Sequence, residues 1–198
     1  LEIPSYEFPT PDLGPVQRLN AQHPDNPLVS TPVTIDWSPA NAGQWVDLNN
    51  GGRVWVLRVR IPEAKGLAFF YDQFQLPEGS RLFMYTPDGS HILGGYSIAN
   101  NRASRSFMTG FTKGEEVILE YYLPAWQTMQ TGFHLHRIDF GFDPSVLDES
   151  VHENRLMFGF GASNGCHENA ECPLGDAYPE ARRSTCRIRL VVEEGTGW

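Results

Sequence analysis

The stretch Arg53-Val-Trp-Val-Leu-Arg-Val-Arg-Ile61 decides the fold class, because its side chains alternate with a period of two. The apolar residues that share one face are Trp55, Leu57, Val59 and Ile61. β-branched residues fill the run and Pro62 ends it, so a helix is disfavoured. The stretch therefore predicts a strand with one buried face and one wetter face.

Two further runs follow closely, at Leu67–Phe74 and at Arg81–Tyr85. The links between the three runs are short and contain turn residues, Pro62 to Gly66 in the first and Pro77 to Ser80 in the second. Each buried aromatic side chain contributes about 2–3 kcal/mol by area. We therefore expect the three runs to form an antiparallel meander at the centre of the core.

The rest of the chain up to residue 143 repeats this pattern of short strands and turn signals. Strand-like runs lie at 34–37, 44–48, 91–94, 106–109, 117–123 and 133–140. About nine strands spaced in this way predict an all-β fold, an antiparallel β-sandwich or jelly roll. A division into two all-β domains is the alternative, although each core would then be small.

The composition excludes several classes of partner. The chain of 198 residues has 15 basic and 24 acidic residues and a net charge of −9, whereas nucleic-acid binding needs a basic face. No apolar run approaches the roughly 18 residues that span a bilayer, so no membrane span is predicted. No signal peptide opens the sequence, and we expect any targeting segment to have been removed or never present. No cofactor is predicted.

Changes in amino-acid composition along the chain predict four regions. Residues 1–32 are rich in proline and read as an extended arm, and residues 33–143 as the β body. Residues 144–160 are acidic and then glycine-rich, which indicates a linker. Residues 161–198 are too short to bury a core alone, so we expect them to belong to a larger domain.

Cys166, Cys172 and Cys186 are the three cysteines of the chain, and all lie in its last region. An odd number in an exported protein suggests that a disulfide partner lies elsewhere. A cytosolic protein with three free thiols is the alternative. The three residues are therefore disulfide candidates.

The last region resembles the start of the mature domain of lysyl-endopeptidase-like serine proteases, which are secreted bacterial enzymes of the trypsin fold. The resemblance rests on Gly161–Cys166, on Cys172-Pro-Leu-Gly-Asp176 and on the strand that leads to Gly195-Thr-Gly-Trp198. Upstream, residues 54–61, 74–89 and 114–123 resemble the N-terminal β domain of such precursors. The two resemblances occur in the order that the family has.

The resemblance implies a precursor whose protease domain is incomplete in this chain. In the family the catalytic histidine and the serine nucleophile follow later, so no catalytic residue is assigned here and activity of this chain is not expected. In the family, the first two cysteines of the mature domain pair with downstream cysteines. The best-known members have no cysteine that corresponds to Cys186, so this residue departs from the family pattern. Arg155 is the processing candidate, because it is the only lysine or arginine between Phe142 and Cys166.

Other candidate sites have plainer interpretations. His134 and His136 share a strand face and could bind zinc if a third ligand converged, but surface histidines explain them as well. The Cys166, His167 and Cys172 spacing fits no common zinc pattern. A triad of Asp176, His167 and a serine, Ser163 or Ser184, lacks any ordering signal. No metal site is predicted.

Surface carboxylates, aromatic residues and a basic pair complete the candidates. Asp47, Asp72 and Asp88 are turn residues that could alternatively bind calcium. The aromatic residues that could form a sugar platform are Trp45, Tyr96 and Trp126, of which Trp126 falls in a loop. The Arg182-Arg183 pair indicates a charged surface or a dibasic processing site.

Two functions of different classes follow. The first is a pro-region that assists or restrains its own serine protease domain in cis, in the bacterial extracytoplasmic space. The second is a module that binds a carbohydrate or a cell-surface partner and stays attached to a secreted enzyme.

Overall fold

The computed structural model describes residues 2–24, 26–128, 132–147 and 190–197. Within these ranges the chain is mostly β and forms two curled sheets, which confirms the all-β fold class. The strands are β1 (Ser5–Glu7), β2 (Leu28–Trp37), β3 (Gln44–Asp47), β4 (Arg53–Arg60), β5 (Gly66–Tyr71), β6 (Arg81–Tyr85), β7 (Ile92–Tyr96), β8 (Phe107–Met108), β9 (Thr112–Lys113), β10 (Glu116–Leu123), β11 (Leu135–Gly141), β12 (Leu190–Val192) and β13 (Gly195–Gly197). Helix α1 (Gly14–Gln22) lies between β1 and β2, and 3₁₀ turns span Ile98–Asn100 and Pro144–Val146.

The first sheet has the strand order β1-β4-β10-β6-β7. Strand β4 pairs along its whole length with β10, in antiparallel register from Arg53 opposite Leu123 to Arg60 opposite Glu116. Its other edge is shared by two strands. β3 pairs antiparallel with the first half of β4, and β1 pairs parallel with the second half.

The second sheet has the order β12-β13-β2-β11-β5-β8, with β9 also paired to β5. Strand β11 lies at its centre and pairs antiparallel with both β2 and β5, with a register shift between Leu135 and Arg137 on both sides. The C-terminal hairpin, which we define as β12 and β13, extends this sheet through the pairing of β13 with β2.

The main core combines side chains from both sheets. In β4 the predicted buried face is confirmed, because Trp55, Leu57 and Val59 are fully buried, although Val56 on the opposite face is buried as well. Phe133, just before β11, joins the two sheets. Its ring centroid lies 5.5 Å from that of Trp55, 5.5 Å from that of Tyr71 and 5.2 Å from that of Tyr121. These edge contacts are the favoured geometry of aromatic pairs.

The expected meander of three successive strands was wrong. β4 and β6 lie in the first sheet on either side of β10, whereas β5 lies in the second sheet. The physical reason is the composition of β5, Gly-Leu-Ala-Phe-Phe-Tyr, in which every residue is buried. A strand that is apolar on both sides needs cover on both faces, and a meander with one wet face does not provide it.

The extended arm expected at residues 1–32 was wrong for a large part of its length. Residues Gly14–Gln22 form α1, β1 pairs with β4, and β2 runs through the expected boundary between residues 32 and 33. Pro15 stands in the first turn of α1, where proline is tolerated, and Pro24 follows the helix end. The stretch between Pro15 and Pro24 contains no proline and is long enough for a helix, although the proline content of residues 1–32 as a whole argues against one.

Most of the predicted linker (144–160) and of the last region (161–198) lies outside the described residues, so these divisions stay predictions. Inside the described ranges, none of the helical segments has the length and apolar character that crossing a bilayer requires.

Candidate functional site

A buried polar cluster lies where the C-terminal hairpin meets the second sheet. We call Ser30, Arg137, Asp139 and Thr196 the Asp139 cluster. Arg137 and Asp139 are two residues apart in β11 and therefore share one face of the strand. Ser30 comes from β2 and Thr196 from β13, which are paired directly opposite each other. The cluster thus joins three adjacent strands on the side of the sheet away from the main core.

The carboxylate of Asp139 is the acceptor on which the cluster converges. Its Oδ1 accepts a hydrogen bond from Arg137 Nε at 2.5 Å. Its Oδ2 accepts one from Ser30 Oγ at 2.8 Å and another from the hydroxyl of Thr196. The backbone N–H of Thr196 donates to Ser30 Oγ at 3.0 Å. Ser30, Asp139 and Thr196 are all fully buried, so water does not reach these groups.

Arg137 compensates the buried charge and also reaches the hairpin. Its Nη1 donates to the carbonyl oxygen of Val192 at 2.8 Å, and its guanidinium lies 4.9 Å from the centroid of the Phe70 ring. Its side chain is 13% exposed. Within the described residues its Nη2 has no hydrogen-bond partner. A buried carboxylate needs a countercharge and full hydrogen bonding, and the cluster supplies both to Asp139.

Close packing of the backbone makes the hairpin contact specific. A Cβ atom placed on Gly195 would overlap the carbonyl oxygen of Ser30, so only glycine fits there without a shift of the strand. Next to the cluster, a second apolar cluster of Val29, Ala68, Phe70, Phe111 and Val146 covers the outer side of the second sheet. This face is therefore partly dry, which strengthens the polar contacts beside it.

A second charged group lies near the start of β11. His134 Nδ1 lies 2.6 Å from Asp72 Oδ1, and His134 Nε2 lies 2.7 Å from Asp36 Oδ1. Partial burial alone would lower the pKa of His134, but the hydrogen bonds and charges of the two carboxylates together raise the pKa above its usual value. The imidazole therefore links Asp36 of β2 to Asp72, which follows β5.

The structure does not bring the two histidines together as metal ligands. Both ring nitrogens of His134 are engaged by carboxylates, and His136 Nδ1 is buried without a hydrogen-bond partner. Across the described part of the chain, no three side chains of histidine, cysteine, aspartate or glutamate are arranged to hold a metal ion. The calcium candidates are separate. Asp72 contacts His134, Asp47 is exposed at the end of β3, and Asp88 caps its own turn.

The carboxylate of Asp88 accepts its hydrogen bonds from residues of its own turn. Hydrogen bonds from the Thr86 side chain and from the backbone and side chain of Ser90 lower the pKa of Asp88 to about 2. The Oδ1 atom accepts from Ser90 N at 3.1 Å and from Ser90 Oγ at 2.8 Å. Asp88 is therefore explained as a turn residue.

Of the three aromatic candidates for a sugar platform, only Trp126 is open to solvent, with 62% of its surface exposed. Trp45 contacts Tyr121 and carries Arg53 over its ring, and Tyr96 packs edge-on against Phe107. The other residues predicted from the sequence lie outside the described residues. These are Arg155, Ser163, Cys166, His167, Cys172, Asp176, Arg182, Arg183, Ser184 and Cys186.

The Asp139 cluster was not predicted, although the sequence holds a signal for it. Arg137 and Asp139 are opposite charges on one face of a run whose other members are Leu135, His136, Ile138 and Phe140. Such a pair is compatible with a buried ion pair as well as with a surface one. The contribution of Ser30 and Thr196, which are far apart in the chain, is visible only in the tertiary structure.

No protein-family model matches this chain, and no solved structure matches it either.

Proposed function

We propose that this chain is the pro-region of a secreted bacterial serine endopeptidase precursor of the trypsin fold, followed by the incomplete start of the protease domain. In this proposal residues 33–143, together with β1, α1 and the first part of β2, form a β-sandwich or jelly roll. Residues 144–160 are the linker, and the catalytic triad belongs to a part of the precursor that this chain does not contain. The body acts in cis as a folding assistant or an inhibitor.

The observation that carries the proposal is the docking of the C-terminal hairpin. The hairpin belongs to residues 161–198, the segment that resembles the start of the mature protease, and it is paired to β2 of the body. A body that templates the first part of a neighbouring domain needs a strand edge and specific side-chain contacts. The body provides the strand edge in β2. It provides the side-chain contacts in Asp139 and Arg137, which bind Thr196 and Val192 of the hairpin.

The candidate residues outside the described part of the chain have defined roles in this proposal. Arg155 marks the site at which the linker is cut. The resemblance implies that Cys166 and Cys172 pair with downstream cysteines of the protease domain, and it assigns no partner to Cys186. Disulfide formation requires an oxidising compartment, in agreement with secretion.

The experiment is to add this 198-residue chain to the mature parent protease and to measure inhibition and refolding yield. Inhibition at nanomolar concentrations, or a refolding yield that rises with added chain, supports the pro-region. Absence of both effects with a correctly folded chain contradicts it. N-terminal sequencing of the mature enzyme checks the cleavage site, which is expected directly after Arg155.

The second candidate function is a carbohydrate- or cell-surface-binding module, and Trp126 favours it. This side chain lies exposed in the loop after β10, with its ring next to Gly79. Exposed tryptophan rings bind sugar faces by stacking. Binding to cell-wall polysaccharide that is lost in Trp126→Ala, without inhibition of the protease, would favour the module over the pro-region.

A further inference from the structure

The hairpin contact depends on the identity of two residues in β13. Gly195 has no room for a side chain against Ser30, and Thr196 uses both its hydroxyl and its N–H in the Asp139 cluster. Valine has the shape of threonine without the hydroxyl, and in its place Asp139 would lose one hydrogen bond in a water-free position. The site therefore discriminates a glycine followed by a hydroxyl residue from other extended sequences.

The apolar contribution of the hairpin is small by comparison. Val191 and Val192 are exposed, as are Glu193 and Glu194 in the turn. The hairpin is held mainly by backbone pairing of Thr196 with Ser30 and of Gly197 with Leu28, together with the polar cluster. This is the mode by which sheets bind an added strand, in which the backbone supplies affinity and side-chain pockets supply specificity.

Release of the hairpin would not leave an unpaired buried charge in the body. Arg137 and Ser30 still hold the carboxylate of Asp139, because both belong to the body, and water can reach the positions that Thr196 and Val192 leave. A contact of this kind separates without the large penalty of an isolated buried ion. The geometry is therefore that of an exchangeable strand.

We propose that β2, with Ser30, Arg137 and Asp139, forms a strand-recognition site, which reversibly binds an antiparallel hairpin whose docking strand has the sequence Gly-Thr-Gly and also accepts it from a separate polypeptide. The identification of the natural donor as the start of the protease domain rests on the proposed function. A strand in a closed barrel has both edges paired. While one edge of β13 is paired with β12 and the other with β2, that strand is unavailable for barrel closure. Docking on the body and closure of the protease barrel thus exclude each other.

The test uses the full chain and a fluorescent peptide that carries residues 187–198. The receptor is the Gly195→Val, Thr196→Val double variant, whose own hairpin cannot occupy the site, and the wild-type chain is the matched control. We expect the peptide to bind the double variant at least about tenfold more tightly than the wild type, because the wild-type hairpin competes at a high effective concentration. Fluorescence anisotropy measures the binding, and circular dichroism verifies that both chains are folded.

Peptide variants test the specificity. A Thr196→Val peptide should bind about tenfold or more weakly, as expected for loss of a hydrogen bond to a charged group, whereas a Thr196→Ser peptide should retain binding. Failure of the peptide to bind the folded double variant, or equal binding of the valine and threonine peptides, overturns the proposal.

A second measurement remains decisive if the double variant does not fold. Hydrogen exchange of the amides in Val29–Thr31 should be faster in the single variant Thr196→Val than in wild type, and close to wild type in Thr196→Ser. Unchanged exchange in Thr196→Val contradicts the proposal. None of these readouts needs a protease, so peptide binding without protease inhibition would leave the site standing and remove only the proposed function.

Discussion

Asp139 is the residue whose environment is least tolerant of change. Its carboxylate is fully buried, and every hydrogen-bond donor around it comes from a side chain that is itself half-buried or buried. Burial of a charge without its partner is strongly unfavourable, whereas a complete set of partners makes the burial nearly neutral. The cluster therefore contributes more to specificity of the hairpin contact than to net stability.

Asp139→Asn is expected to destabilise the protein by about 3 kcal/mol, because the guanidinium of Arg137 then lacks its countercharge in a largely buried position. Chemical denaturation followed by tryptophan fluorescence measures the free energy of unfolding. Asp47→Asn, at an exposed carboxylate, is the matched control and should change the stability by less than about 0.5 kcal/mol. Equal effects of the two substitutions would show that the Asp139 cluster is not buried.

At the scale of elements, β11 is the strand through which the second sheet is organised. Its register shift between Leu135 and Arg137 separates two regions of the strand. The residues beyond the shift carry Arg137 and Asp139 to the hairpin, and His134 before the strand reaches Asp36 and Asp72 on either side. His134, just before β11, thus contacts Asp36 of β2 and Asp72 after β5, whereas Asp139 within the strand contacts β2 and the hairpin.

The His134 contact predicts a pH dependence of stability. The pKa of His134 is 6.5 in the unfolded chain and higher in the folded protein, so its stabilisation is complete below pH 6.5 and is lost as the pH rises through the folded pKa. The free energy of unfolding should therefore decrease from about pH 6.5 upward. Denaturation series between about pH 5.5 and about pH 9 measure this slope.

The comparison with His134→Gln isolates the contribution of this histidine. The decrease above neutral pH should be smaller in His134→Gln than in wild type, and His23→Gln, at an exposed histidine, should keep the wild-type slope. A His134→Gln slope that equals the wild-type slope would show that the imidazole is not held by the two carboxylates.

The side chain of Asn20 anchors helix α1 to the start of β2. Asn20 donates from Nδ2 to the carbonyl oxygen of Leu28 and accepts at Oδ1 from the Leu28 N–H, both at 2.8 Å. Asn20→Ala should therefore reduce stability by about 1–2 kcal/mol, since two backbone groups lose their partners. Thermal unfolding measures the change. Gln17→Ala, on the exposed side of the helix, should have little effect, and a similar loss in both variants would contradict this assignment.

At the scale of the whole molecule, the chain crosses between two sheets that share one core. β4 lies in the first sheet and β5 in the second, so the short link after Ile61 spans the layers. The N-terminal strand β1 forms one edge of the first sheet and pairs with β4. Arg60 pairs with Glu7 of β1 at 2.8 Å and with Glu115 at 2.8 Å. The hydrogen bond to Glu115 raises the pKa of Arg60, and the same hydrogen bond lowers the pKa of Glu115.

This architecture predicts an uneven distribution of local stability. Amides of β4 and β10 should exchange most slowly, because both strands are paired on two edges and bury large apolar side chains. Amides of β12 should exchange much faster, since its side chains at Val191 and Val192 are exposed. Hydrogen exchange with mass spectrometry resolves these segments. Equal protection of β12 and β4 would mean that the hairpin is a permanent layer of the body.

The sequence by itself determined the all-β class and the buried face of β4, because a period of two and the turn residues act locally. It also located most of the strands, although not β1, β9 and β13, which are too short to show a period. It did not determine the sheet to which each strand belongs. That depends on which strands need cover on two faces, as β5 does, and is decided by the core as a whole.

The candidate site depended still more on the tertiary structure. The pair Arg137 and Asp139 is visible in the sequence as two opposite charges, but Ser30 and Thr196 are 166 residues apart and meet only through the pairing of β2 with β13. Alternation of side chains reports which face of a strand is dry. It carries no information about which distant strand completes a buried carboxylate, because that choice is made by packing and not by local propensity.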